Sequence, residues 1–257
     1  MQVGVGVVDI TPELGIWMSG YGGRSVATSV NDPLELQAVV MEGDNGTLAA
    51  IIASDLIGYD YDLVAEVRGE LSRRHGLGPD AVMLNASHTH GGPAIINHLV
   101  VEAPHLDPAY RQRVVEAVYQ AVGTALDNRQ PAEPHHAWGR CTIGINRRQP
   151  GPPYAMAPNP KGFYDDTVGV LAFLEPGSGK PLAVLFNASC HPTTLGSQPI
   201  ISADWPGAAK RAIESWLGEG GHALFLQAAC GNIRPRTFDP GSNRFRQGTV
   251  EEFTRMG

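Results

Sequence analysis

Three histidines stand where imidazole could do chemistry. His88 and His90 flank one threonine in Leu84-Asn85-Ala86-Ser87-His88-Thr89-His90-Gly91-Gly92-Pro93, and His191 lies in Ser189-Cys190-His191-Pro192-Thr193-Thr194. Side chains at i and i+2 on extended backbone leave the same face, so His88 and His90 can reach one centre. Pro192 keeps the residue before it extended and ends any strand there. Neutral imidazole suits zinc, and a catalytic zinc takes three protein ligands while leaving one position open. A bare His-x-His is also what a pair of satisfied polar histidines at a strand terminus looks like. A third histidine at the end of a second apolar strand turns the balance toward a two-branched metal site. His75, His98, His105, His135, His136 and His222 have no comparable setting and read as surface or packing residues.

Other chemistries lack their signatures. The cysteines, Cys141, Cys190 and Cys230, are odd in number and far apart, so neither a disulfide framework nor a zinc ribbon follows from them, and they read as small core residues. There is no Gly-x-Ser-x-Gly nucleophile elbow, Walker A motif or dinucleotide fingerprint. Gly20-Tyr21-Gly22-Gly23 reads as a flexible turn, with exposed backbone amides as its functional option. Arg147 opens a proline-rich stretch and could fork a polar oxygen if it points into a cleft. Asp204 precedes a helical pattern and reads equally as a helix-start cap or a catalytic group.

The elements that must position these residues follow from periodicity. Strands are expected over Val3–Ile10, Leu36–Met41, Leu48–Ala53, Ala81–Leu84, His135–Ile143, Val168–Phe173, Leu182–Phe186 and Ala223–Ala229. Glu42-Gly43-Asp44-Asn45-Gly46 supplies hairpin chemistry between the second and third. Helices are expected over Asp60–His75, Pro108–Leu126, Pro206–Leu217 and Val250–Met256. The stretch from Arg147 to Lys161 reads as a long loop. Asn85-Ala86-Ser87 and Asn187-Ala188-Ser189 each precede a histidine at the end of an apolar strand, a faint internal similarity. Both are also formal glycosylation sequons, read as incidental. Strands and helices interleave without strict alternation, which favours an α/β domain with mixed sheets over a TIM barrel or Rossmann fold.

The chain has 257 residues and a net charge of −7, with no basic face to suit a nucleic acid. No apolar run approaches the roughly 20 residues of a membrane span, and no basic segment precedes an apolar one at the N-terminus. A cytoplasmic location is expected. Oligomeric state is open.

Taken together, the motifs resemble the neutral/alkaline non-lysosomal ceramidase family. The resemblance runs through Val8-Asp9-Ile10-Thr11, Gly20-Tyr21-Gly22, Ser87-His88-Thr89-His90-Gly91-Gly92-Pro93, Ile145-Asn146-Arg147, His191-Pro192, Ser202-Ala203-Asp204 and Gly231-Asn232-Ile233-Arg234-Pro235, in the family's order. It implies stacked mixed β-sheets flanked by helices (αββα-like) in one domain over 1–257. It also implies a zinc-dependent hydrolase of an N-acyl amide, using a metal-activated water. His88 and His191 would be zinc ligands and His90 a catalytic residue beside the metal. Gly22, Arg147 and Asn232 would contact a small-molecule or lipid-like amide substrate. The family's last motif reads Gly-Asp-x-Ser-Pro, where this chain has Asn232 and Arg234. The family's remaining zinc ligands, a glutamate and a tyrosine, lie beyond that motif, so the chain is expected to be the N-terminal part of a longer catalytic unit. Two alternatives accompany this reading: an incomplete homologue without catalysis, and a hydrolase of small soluble amides or esters.

Overall fold

Alternating side chains put a strand's residues on two faces, and in the central strands both faces are buried. The computed structural model describes residues 1–93, 95–96, 106–151 and 155–257. The main elements are β1 (Gln2–Asp9), β2 (Glu35–Glu42), β3 (Leu48–Ser54), α1 (Tyr61–His75), β4 (Val82–Ala86), α2 (Pro108–Asp127), β5 (Glu133–Arg140), β6 (Thr167–Leu174), β7 (Pro181–Ala188), α3 (Asp204–Leu217), β8 (His222–Gln227) and α4 (Val250–Met256). The first sheet runs β4-β3-β2-β1 and is extended at β1 by Gln130–Pro131; the second runs β8-β7-β6-β5. Each holds one parallel pair, β3 with β4 and β7 with β8, and the other pairs are antiparallel. The mixed sheets and the helices outside them are the α/β architecture expected from the sequence.

Three apolar clusters correspond to the three interfaces of a four-layer stack. Ala38, Val40, Ala50 and Ile52 face α1 and α2, meeting Leu63, Val67, Val114 and Val118. The alternate residues Val39 and Ala53 turn the other way and join Val3, Val5, Leu182, Leu185 and Leu224 between the sheets. Phe186, Phe225, Trp205 and Phe253 fill the space under α3 and α4. On β1, Gly4 and Gly6 alternate with the valines, and a methyl group at either would overlap the α2 backbone at Ala125 and Ala121. The glycines therefore let α2 lie directly on the sheet.

Local chemistry sets the ends of the helices. Asp60 accepts from Leu63 N (2.7 Å) and Gly76 closes α1 at φ +68°. Asp107 caps α2 ahead of Pro108. A Thr249–Glu252 capping box opens α4. Helix α3 starts two residues earlier than its pattern predicts, at Asp204, whose φ of +57° lies in the left-handed region. The strand expected over His135–Ile143 stops at Arg140, and Gly144–Asn146 pairs separately with Ile233–Pro235. Within the proline-rich stretch, Arg148–Gln149 pairs with Ala155–Met156. His98 and His105 lie outside the described residues. Among the described residues no helix is long and apolar enough to cross a membrane.

The two sheets meet edge to edge where it matters for the site. Asn85 on β4 donates to Gln227 O (3.2 Å) and accepts from Gln227 N (2.8 Å) on β8, so one side-chain amide continues the hydrogen bonding across the gap. Asn187 donates to Leu226 O on the same strand (2.9 Å). The two similar Asn-Ala-Ser segments thus spend their amides on β8. They deliver His88 and His191 from the C-terminal ends of β4 and β7 into one cleft.

Candidate metal centre

His88, His90 and His191 converge. One ring nitrogen from each can be chosen so that all lie within 4.8 Å of one another, and among the described residues no other group of histidine, cysteine or carboxylate side chains does this. Ring centroids are 4.6 Å apart for His88–His191, 5.1 Å for His90–His191 and 5.2 Å for His88–His90. The route differs from simple strand alternation. β4 ends at Ala86, and His88 sits at φ +65°, in the left-handed region that most side chains avoid. Two bonds to the β3–α1 loop hold it there: His88 N donates to Leu56 O (2.9 Å), and its Nδ1 lies 2.6 Å from Ile57 O.

The three rings are not equivalent. His88 Nδ1 meets Ile57 O, and His191 Nδ1 meets Cys230 O at 3.0 Å. In both cases the carbonyl fixes the proton on Nδ1 and leaves Nε2 as a free lone pair. His90 is buried, and neither of its nitrogens has a hydrogen-bond partner. An orphaned buried imidazole is costly in a folded protein, so the position fits a group that completes it. Burial holds all three histidines below their ordinary pKa, His90 well below and His191 at about 3, with the Arg147 charge acting in the same direction. The rings are therefore neutral at pH 7, the state in which imidazole donates to a metal. A group of neutral ring nitrogens this close together could hold a divalent cation.

Backbone and loop contacts lock the cluster. Arg24 is buried and its guanidinium donates to Ser19 O (3.1 Å), His90 O (2.9 Å) and Gln198 O (3.0 Å), tying the glycine-rich turn to both histidine loops. Asp204 accepts from Thr194 N (2.8 Å), Thr194 Oγ1 (2.7 Å) and Trp205 N (2.8 Å), anchoring the segment just after His191 to the start of α3. Ala203, not Asp204, stands at the N-cap of α3, and no side chain caps that helix start.

The other predicted contacts take up different positions. Arg147 is half-buried and forks Gly231 O with Nε (3.1 Å) and Nη2 (3.0 Å). Asn232 spends its amide on Phe163 O (3.0 Å), propping the loop after the Arg148–Gln149 pair. Gly22 is exposed in the turn, and its neighbour Tyr21 is the residue that meets the cluster: the Tyr21 ring packs edge-on against His90 at 4.8 Å. Its hydroxyl is buried with no hydrogen-bond partner. Periodicity carries no signal for Tyr21 or Arg24, because both lie in a turn whose approach to His90 is a tertiary event. The free cysteines, Cys190 buried and the others half-buried, have no nucleophilic setting; burial pushes the Cys190 thiol well up.

Residues 1–252 match the family described as "Neutral/alkaline non-lysosomal ceramidase, N-terminal". The chain is 27% identical to neutral ceramidase A and 25% identical to neutral ceramidase B, both of Dictyostelium discoideum; each match covers 93% of this chain and 36% of the relative. A crystal structure of neutral ceramidase from Pseudomonas aeruginosa superposes with a TM-score of 0.83 at 22% identity, over 99% of this chain and 42% of that one. The chain thus spans little more than a third of the length of the curated relatives it matches.

Proposed function

Because the chain belongs to the neutral/alkaline non-lysosomal ceramidase family, we propose that it acts as a zinc-dependent hydrolase of N-acyl amides, with His88 and His191 holding the ion and His90 serving the reaction. The observation that supports this division is the pair of carbonyls, Ile57 O and Cys230 O, on the Nδ1 atoms of His88 and His191. A ligating histidine usually gives its second nitrogen to a carbonyl or carboxylate, which orients the ring and raises its basicity. His90 has no such support on either nitrogen.

Zinc, when bound, supplies Lewis acidity to the substrate carbonyl and to an attacking water. The chain's own residues do the rest. His90, neutral at pH 7, takes a proton from the attacking water and returns it to the departing amine nitrogen. Arg147 keeps Nη1 clear of Gly231 and orients a polar substrate group. The Tyr21–Gly22 turn walls the cleft, and Asn232 borders it through the Phe163 loop. The substrate class is a lipid-like or smaller N-acyl amide.

Elemental analysis separates these roles. His88→Ala and His191→Ala are expected to lose zinc, whereas His90→Ala keeps it and loses hydrolysis. Stoichiometric zinc in both of the first two variants would sink the assignment, and loss of zinc from His90→Ala would make His90 a third ligand.

A further inference from the structure

Among the described residues, two arginines near the histidines are paired with no carboxylate. Arg147 and Arg234 come from two short strands laid side by side: Arg234 pairs with Ile145, and Arg147 N donates to Asn232 O at 2.8 Å. Both side chains are half-buried. Arg234 Nε is buried without a hydrogen-bond partner, and its guanidinium lies over the Phe245 ring at 4.4 Å. Among the described residues, no ion pair involves Arg24, Arg147 or Arg234. Arg24 has spent its guanidinium on backbone carbonyls, but Arg234 has not. Arg147 holds Gly231 O, the carbonyl next to the Cys230 O that meets His191 Nδ1, and Arg234 lies diagonal to Arg147 across the two strands. Asp204 is the carboxylate whose charge reaches this region, and the hydroxyl and backbone N–H groups described above already occupy its oxygens.

A half-buried guanidinium whose Nε is dry and which has no counter-charge is left with an unmet hydrogen-bond donor and an unpaired charge. Stacking on Phe245 fixes its plane and does not neutralise it. The Tyr21 hydroxyl adds another unused donor. Arg147, Arg234 and the Tyr21 hydroxyl are all donors, a set that matches oxygen atoms carrying negative charge.

We propose that the substrate carries an oxyanion group, a carboxylate or a phosphate, seated against Arg234 and Arg147 beside the scissile amide. This rests on the amidohydrolase reading above and narrows its substrate to anionic N-acyl amides. Arg234, whose guanidinium is committed to no backbone carbonyl and no carboxylate, is the specificity residue.

Ground-state binding tests the proposal without turnover. The full chain is stripped of metal with a chelator, so a ligand oxyanion cannot coordinate the ion. Three short, monomeric probes are titrated calorimetrically: N-hexanoylglycine, N-hexanoyl-O-phosphoethanolamine and the neutral N-hexanoylglycinamide. At least one anionic probe is expected to bind about tenfold or more tightly than the neutral one, and the stronger anion identifies carboxylate or phosphate. Arg234→Gln is expected to shrink that preference to about threefold or less while leaving the neutral probe's affinity in place, and Arg73→Gln, on the far surface of α1, to leave it intact. Equal binding of all three probes to the unsubstituted chain overturns the proposal whether or not any variant folds. So does a preference that survives Arg234→Gln, and equal binding is also the result if the arginines only stabilise charge developed during the reaction. Zinc takes no part in the measurement, so a negative result leaves the zinc assignment untouched, and failure of that assignment leaves this result readable.

Discussion

Gly20 and His90 are in direct apposition: a methyl group at residue 20 would overlap Nδ1 and Cγ of the His90 imidazole. Gly20 also adopts φ +92°, a conformation that side-chain-bearing residues rarely take. Both facts assign the glycine to the placement of one ring. Gly20→Ala is therefore expected to push His90 aside while His88 and His191 stay on their carbonyls. Zinc content should be kept, and kcat/KM on an N-acyl amide should fall by about 100-fold, as a displacement near 1 Å can do. An unchanged rate would mean that His90 tolerates displacement and has no positional role.

The Tyr21 hydroxyl is buried with no partner, and burial raises its pKa, so it remains a protonated donor at neutral pH. Removing an unsatisfied buried hydroxyl can leave stability unchanged or raise it by up to about 1 kcal/mol. Tyr21→Phe is expected to do this in urea denaturation while lowering kcat/KM about tenfold. If turnover survives intact, the hydroxyl does not touch the substrate.

Lys210 on α3 is buried and reaches Asp55 (2.8 Å) and Glu35 (3.0 Å), joining the helix to the far ends of β2 and β3. Truncating one member of such a cluster strands a buried charge. Lys210→Met should cost about 3–5 kcal/mol, and adding Asp55→Leu should restore part of it, since the stranded carboxylate is then gone. Urea midpoints of the two variants give the comparison, and equal losses would show that the ion pair itself supplies the stability.

Acid should loosen the metal-free chain through its histidines. Burial holds His191 neutral down to about 3, whereas the unfolded residue takes up its proton near 6.5. Between those values the unfolded state binds more protons, so stability is complete above pH 6.5 and falls as pH drops. His191 alone accounts for about 1.4 kcal/mol per pH unit in that window. Denaturation curves at pH 7.5, 6.5 and 5.5 should show the decline, and His191→Asn should make it shallower. Parallel declines in the two proteins would place the effect elsewhere.

The residues themselves carry much of this protein's design. Period-2 and period-3.6 patterns place eight long strands and four helices close to where they form, because each element's apolar residues must face a neighbouring layer whatever that layer is. Asp60, Gly76 and Pro108 mark helix ends through bonds a few residues away. The two Asn-Ala-Ser segments also fall at the strand ends that bear the histidines, but their amides bond to β8, 142 and 39 residues away. What one strand cannot specify is the meeting of two sheets. Alternation alone would unite His88 with His90, yet it is the left-handed turn at His88, held by Leu56 and Ile57, and the Asn85–Gln227 bridge that bring His191 alongside. The carbonyls that hold the rings of His88 and His191 likewise come from 31 and 39 residues away in sequence. Tyr21, Arg24 and Arg234 acquire their places at the cleft in the same way. Local spacing determines what an element is, and only long-range packing determines which side chains lose their water together.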